Sequence, residues 1–271
     1  MISKIIIKHC FRIFVACEYK LYVFDFKTYE NIDIIESYVS PKGVFAISFE
    51  THSPILAYPD KEKGMVGIKI YTDEKPKVAR ITAHESDIAC MTISRDGSIL
   101  ATASDKGTLI RLFRISEGVL IQEVRRGSDK AEILCISFND DCSLLACSSD
   151  RGTIHIFKLN ENKEKFVGAK GIIDANGGLN NEKEEEIYTD THDKKNKTLG
   201  EKIGKLFKFD YLNSEWSFAK FRINEERSIC CFGPNQSIIV IGASGKYYQA
   251  SFEGLTEGEC TKLQENKFEI E

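Results

Sequence analysis

Two neighbouring arginines followed by a glycine, Arg125-Arg126-Gly127, stand between two copies of one short pattern, S-D-K-G-T at 104–108 and S-D-R-G-T at 149–153. A guanidinium is a planar fork that donates paired, charge-assisted hydrogen bonds to phosphate oxygens. Successive residues of a strand point to opposite faces. Two adjacent arginines at a strand end can therefore serve two anion pockets, one on each flank of a sheet. Serine and threonine hydroxyls and backbone N–H groups add donors, and histidine adds charge when protonated. The opposing reading is plain: an isolated arginine pair is usually a solvated or ion-paired surface, and S-D-x-G-T usually only turns the chain. What separates the two readings is the set of elements that must hold these residues.

Those elements repeat. IACMTI at 88–93 returns 45 positions later as ILCISF at 133–138. Each copy is followed by a polar turn, then by a second apolar run (ILATAS at 99–104, LLACSS at 144–149), then by the S-D-x-G-T pattern and a third run. An earlier copy lies 44 residues upstream, where 44–49 and 55–58 match the first two runs. Weaker copies occupy residues 4–38 and 216–252. Short β-branched and aromatic runs separated by Asp, Asn, Gly and Ser turns predict antiparallel meanders. Three or four strands every 40 to 45 residues is the spacing of a propeller blade, which must pack on its neighbours to bury both faces. The expected fold is all-β: a β-propeller of four-stranded antiparallel blades, about five of them, in a single domain spanning 1–271. A polar insertion at about 160–213 carries an acidic run at 182–186.

Composition narrows the function classes. The formal charge of −4 gives no whole-molecule attraction to nucleic acid or acidic lipid, so anion binding must come from a local patch. No run of eighteen apolar residues is present, and the interrupted, alternating N-terminus does not read as a signal peptide. Nine cysteines without a C-x-x-C pair fit small hydrophobes in a reducing cytosol. There is no G-x-S-x-G, phosphate-binding glycine loop, H-E-x-x-H or metal-spaced Cys/His set, so neither catalysis, a metal nor a cofactor is expected.

The stretches ITAHESDIAC (81–90), ATASDKGTLIRLF (101–113), EVRRGSDKAEILCISF (123–138) and CSSDRGTIHIF (147–157) resemble the PROPPIN family, as do SEWSFAKFRINEERSICCFG (214–233) and GEC (258–260). The family signature is an apolar residue before Arg-Arg-Gly. Here Val124 takes the place of the usual Phe or Leu. The resemblance covers roughly 4–260 and implies a seven-blade design of which the first two blades are missing here.

It also implies two pockets for phosphatidylinositol 3-phosphate and phosphatidylinositol 3,5-bisphosphate. The first would use His84, Thr102, Ser104, Gly107, Thr108, Arg111 and Arg125, and the second Arg126, Gly127, Ser128, Ser149, Thr153 and His155. His84 and His155 do not occupy equivalent positions of the repeat. The insertion falls where the family carries a membrane-contacting loop. Residues 194–208 hold six lysines and one glutamate, and Leu199, Ile203, Leu206 and Phe207 share one face of a helix beside Lys197, Lys202 and Lys205. Such a segment is expected to adhere to an anionic membrane as a helix. The implied role is a cytoplasmic effector of autophagosome formation and of endosomal or vacuolar traffic. It would be held at preautophagosomal, endosomal or vacuolar membranes and would recruit autophagy proteins. The rival reading is a WD-type protein-interaction scaffold without lipid binding.

Overall fold

The computed structural model describes residues 2–8, 12–38, 40, 42–48, 53–72, 74–160 and 214–268. Their regular structure is entirely β. Five sheets follow one another along the chain, and within each the antiparallel strands lie in sequence order. The first holds β1 (Ile2–Lys8), β2 (Arg12–Cys17), β3 (Lys20–Asp25) and β4 (Asn31–Glu36); the second holds β5 (Ala46–Ile47), β6 (Ile55–Pro59), β7 (Met65–Ile70) and β8 (Lys77–Thr82). The third holds β9 (Ile88–Ile93), β10 (Ile99–Ser104), β11 (Leu109–Arg114) and β12 (Val119–Arg125). The fourth is built from β13 (Ile133–Phe138), β14 (Leu144–Ser149), β15 (Thr153–Lys158) and, beyond the insertion, β17 (Ala219–Arg222). The fifth is built from β18 (Ser228–Gly233), β19 (Ser237–Gly242), β20 (Lys246–Ser251) and β22 (Thr261–Lys267). Two short strands add parallel edges, β16 (Glu215–Trp216) on β12 and β21 (Gly258–Glu259) on β17.

The sheets are propeller blades, because each packs face to face on its sequence neighbours through strand alternation. In the third blade Leu100, Phe113 and Leu120 face the second, packing with Ala57, Val66, Ile68 and Ile81. Ala101, Ala103, Ile110, Leu112 and Val124 face the fourth, packing with Leu145, Cys147 and Phe157. Ala146, Ile154 and Ile156 on the fourth blade's other face pack against Val240 and Tyr248 of the fifth, and Phe14 and Val23 of the first pack against Leu56 and Tyr58 of the second. Fully burying one such side chain contributes about 1.5–3 kcal/mol, so the inter-blade seams are where the fold is held. The outward faces of the first and fifth blades leave Ile34, Ile229 and Ile241 exposed.

The S-D-x-G-T pattern forms the same turn each time. The N–H of Gly107 donates to the carbonyl of Ser104 at 3.0 Å, and that of Gly152 to Ser149 at 3.2 Å. Gly107 has φ +61°, and a Cβ there would lie 1.7 Å from the Ala131 carbonyl oxygen. Gly107→Ala must therefore both enter the left-handed region and displace the neighbouring blade's backbone. A loss of about 2–4 kcal/mol is expected, read as a lower Tm. An unchanged Tm would show that this turn does not set the blade spacing.

Candidate functional site

Alternation on the third blade sorts the sequence-predicted residues into two clefts. Thr102 and Arg111 are cross-strand partners, as are Arg111 and Glu123, and Leu109 opposite Arg125 forms the next such pair along β11 and β12. Thr102, Ser104, Arg111, Glu123 and Arg125 thus share the face that Leu100 and Phe113 turn toward the second blade. Arg126 leaves the strand one residue later and belongs to the opposite flank. The fourth blade meets it there with Ser149, Thr153 and His155, on the face carrying Cys147 and Phe157. The two guanidinium groups are directed into two different inter-blade seams.

In the first cleft, His84 Nε2 and Thr102 Oγ1 share a hydrogen bond of 3.0 Å. Arg111 donates from Nη1 to the Ala83 carbonyl at 2.7 Å and from Nε to Glu123 Oε2 at 2.8 Å. His84, Thr102, Ser104, Arg111 and Glu123 are all buried. Arg125, only 4% exposed, donates from Nε to Ser214 Oγ at 3.0 Å, with its guanidinium 5.7 Å from the Trp216 ring. Burial, reinforced by Arg111, pushes the His84 pKa down to about 3, so the ring is neutral.

In the second cleft, Arg126 is 7% exposed and donates from Nε to the Gly107 carbonyl at 2.9 Å and from Nη2 to the Asp129 carbonyl. These partners orient the guanidinium without cancelling its charge. Gly107 and Thr108 serve this second arginine through their main chains, since the N–H of Arg126 donates to the Thr108 carbonyl at 2.9 Å. His155 Nδ1 shares a 3.0 Å hydrogen bond with Ser217 Oγ. Its pKa falls to about 4, first through burial and then through Arg126, Lys220 and Arg222. A Cβ at Gly127 would meet nothing within 4 Å among the described residues, and Ser128 is exposed. Asp129 and Asp150 stand beside Arg126.

The structure adds residues that the repeat did not reveal. Lys220 is the cross-strand partner of His155, and Arg222 that of Thr153, so both join the second cleft. Arg222 also pairs with Glu259 at 3.3 Å. Ser214, Trp216 and Ser217 enter from the strand returning after the insertion. Alternation in AKFR (219–222) was the available signal, but its partners lie more than sixty residues away. The seam between the first and second blades is built differently, its cavity lined by Tyr58, Asp60, Lys69 and Arg80. There Gly67 takes the place of Arg111 opposite Tyr58, whose ring fills the space a Cβ would need, and Asp60 pairs with Arg80. The proposed membrane-contacting residues Lys197, Leu199, Lys202, Ile203, Lys205, Leu206 and Phe207 lie outside the described residues.

The PROPPIN family profile matches residues 2–167, well over half of the chain. The chain belongs to the PROPPIN family. Autophagy-related protein 18e of Arabidopsis thaliana is 30% identical over 256 residues, spanning 94% of this PROPPIN and 60% of the relative. Autophagy-related protein 18 of Aspergillus terreus is 32% identical over 180 residues, 58% of this chain and 44% of the relative. The chain thus spans about half the length of these curated relatives. Among solved structures, Hsv2 of Kluyveromyces lactis superposes with a TM-score of 0.69 at 19% identity, covering 98% of this chain and 73% of that one. A complex of KlAtg21 with the coiled-coil of AgAtg16 gives 0.64 at 21% identity, covering 99% and 71%. These likenesses establish the propeller fold.

Proposed function

We propose that this PROPPIN binds phosphatidylinositol 3-phosphate and phosphatidylinositol 3,5-bisphosphate as a peripheral membrane effector of autophagosome formation and of endosomal or vacuolar traffic. The observation that supports it is the direction of two adjacent, buried guanidinium groups into two inter-blade clefts lined by hydroxyls and imidazoles. A buried cation is costly unless something compensates it. Among the described residues the Arg126 guanidinium donates hydrogen bonds to carbonyl oxygens, and a phosphate is the compensating group its fork fits best. Binding, rather than bond-making, is what such a site offers: His84 and His155 each share a hydrogen bond with a hydroxyl, of Thr102 and Ser217, but burial lowers their pKa values to about 3 and 4, far too low for a general base near neutral pH.

Two headgroup clefts on one chain make a multivalent grip, in which each contact raises the effective concentration of the next. The lysine-rich 194–208 segment would add a third contact. The names of the autophagy-related relatives supply the cellular setting, and a coiled-coil partner of the kind bound by KlAtg21 is the corresponding proposal for recruitment.

Flotation on vesicles tests the reading. The protein is expected to float with phosphatidylcholine vesicles containing a few per cent phosphatidylinositol 3-phosphate or 3,5-bisphosphate. It should remain at the bottom with phosphatidylserine vesicles of matched charge. Equal flotation on both would reduce the clefts to a generic basic surface, and none on either would favour the protein scaffold.

A further inference from the structure

The two clefts are built from equivalent rungs of successive blades, and one position on that rung reverses its charge. In the third blade the rung runs Thr102, Arg111, Glu123 across β10, β11 and β12. In the fourth it runs Cys147, His155, Lys220 across β14, β15 and β17. Glu123 and Lys220 therefore occupy the same place relative to their clefts. Glu123 is 3% exposed and pairs through Oε2 with Arg111, while its Oε1 is buried without a hydrogen-bond partner among the described residues. The Arg111–Glu123 pair sums to zero, and the uncovered carboxylate oxygen lies on the face that carries Arg125. The equivalent pair in the second cleft, neutral His155 with Lys220, sums to +1. The following rung adds Arg222 beside Thr153.

Resting on the phosphoinositide reading above, we infer that the clefts are unequal: the Arg126 cleft is the principal headgroup site, and Glu123 holds the Arg125 cleft weak. The physics is Coulombic. A charge buried in the low-dielectric seam acts on a phosphate far more strongly than one in water, and screening by salt reaches it less. Asp129, Asp150 and Glu259 also border the second cleft, but these side chains are solvent-exposed and so is Arg222, which pairs with Glu259, so their effects are attenuated alike and the half-buried Lys220 carries the difference. Of the described acidic groups that border the two clefts, Glu123 is the one buried within the seam. A protein carrying one strong and one weak cleft engages a membrane stepwise, the Arg126 site first and the Arg125 site only where the lipid is dense.

Isothermal titration with the soluble headgroup inositol 1,3-bisphosphate at fixed salt measures each cleft alone. Arg126→Ala leaves the first cleft as the site under test, and Arg125→Ala leaves the second. The Arg126→Ala protein is expected to bind at least tenfold more weakly than the Arg125→Ala protein. Adding Glu123→Gln to Arg126→Ala keeps the side-chain shape and should strengthen binding about fivefold. Lys220→Glu, at a half-exposed position that tolerates the change, should weaken binding at least tenfold in the Arg125→Ala protein and leave the Arg126→Ala protein unmoved. Equal affinities for the two single-cleft proteins, or no gain from Glu123→Gln in a protein with unaltered Tm, would overturn the inequality while leaving headgroup binding intact. Absence of binding by the unmodified protein would overturn the phosphoinositide reading itself, and this inference with it.

Discussion

Changing Arg125 and Arg126 together to threonine is expected to lower affinity for vesicles bearing phosphatidylinositol 3-phosphate by roughly 10²- to 10⁴-fold. Each guanidinium offers charge-assisted hydrogen bonds that contribute about 1.5–3 kcal/mol, so two amount to about 3–6 kcal/mol. The fold should survive. Removing Arg126 leaves the carbonyls of Gly107 and Asp129 short of one donor, and removing Arg125 leaves Ser214 without its Nε partner. Losses of that kind run to about 1–3 kcal/mol per buried group, against typical domain stabilities of 5–15 kcal/mol. The matched Arg125→Lys/Arg126→Lys protein separates charge from shape. Lysine keeps the charge but not the planar fork, so binding should fall about tenfold and no further. Vesicle titrations with thermal melts on all three proteins decide the matter. Full binding by the threonine protein would show that the arginines merely brace the blade, and equal binding by the lysine protein would show that only charge counts.

How much of this could be read from the sequence differs between the fold and the site. The strands at 88–93, 99–104, 133–138 and 144–149 coincide with β9, β10, β13 and β14 because burial on both faces makes them near-continuous apolar runs, repeated at one spacing. The outermost strands escaped notice for the opposite reason. β22 reads TKLQENK and is exposed along its whole length, so no apolar pattern marks it. The opposite flanks of Arg125 and Arg126 followed from alternation alone. Lys220 and Arg222 did not, because their place beside His155 and Thr153 depends on β17 completing the fourth blade after the long insertion. Nor could the opposition of Glu123 and Lys220 be seen. It requires the register of β11 on β12, which shifts between Leu112 and Phe113. Repeats announce blades; only register announces which charges meet.

The two buried histidines make the fold acid-sensitive in a window of their own. An unfolded histidine takes up its proton near pH 6.5, whereas burial and neighbouring cations hold His155 neutral down to about 4 and His84 down to about 3. Between these values the unfolded chain binds more protons than the native one. Stability is therefore complete above pH 6.5 and declines as the pH falls toward the native pKa values. At pH 5 the deficit is about 2 kcal/mol per histidine, or about 4 kcal/mol together. The carboxylates held low, such as Asp141 and Glu225, act at lower pH and do not enter this window. Urea midpoints from pH 7.5 to 5 should fall steadily, with about half the slope in His155→Gln and almost none in His84→Gln/His155→Gln. An unchanged slope in the double variant would place the acid sensitivity elsewhere. A phosphate in the second cleft works against this decline. Its negative charge beside His155 offsets Arg126, Lys220 and Arg222, raises the imidazole pKa and lets the bound protein take up a proton that the free protein refuses. Saturating inositol 1,3-bisphosphate should consequently protect the protein more at pH 5.5 than at pH 7.5, and the His155→Gln protein should lose that difference while keeping the headgroup.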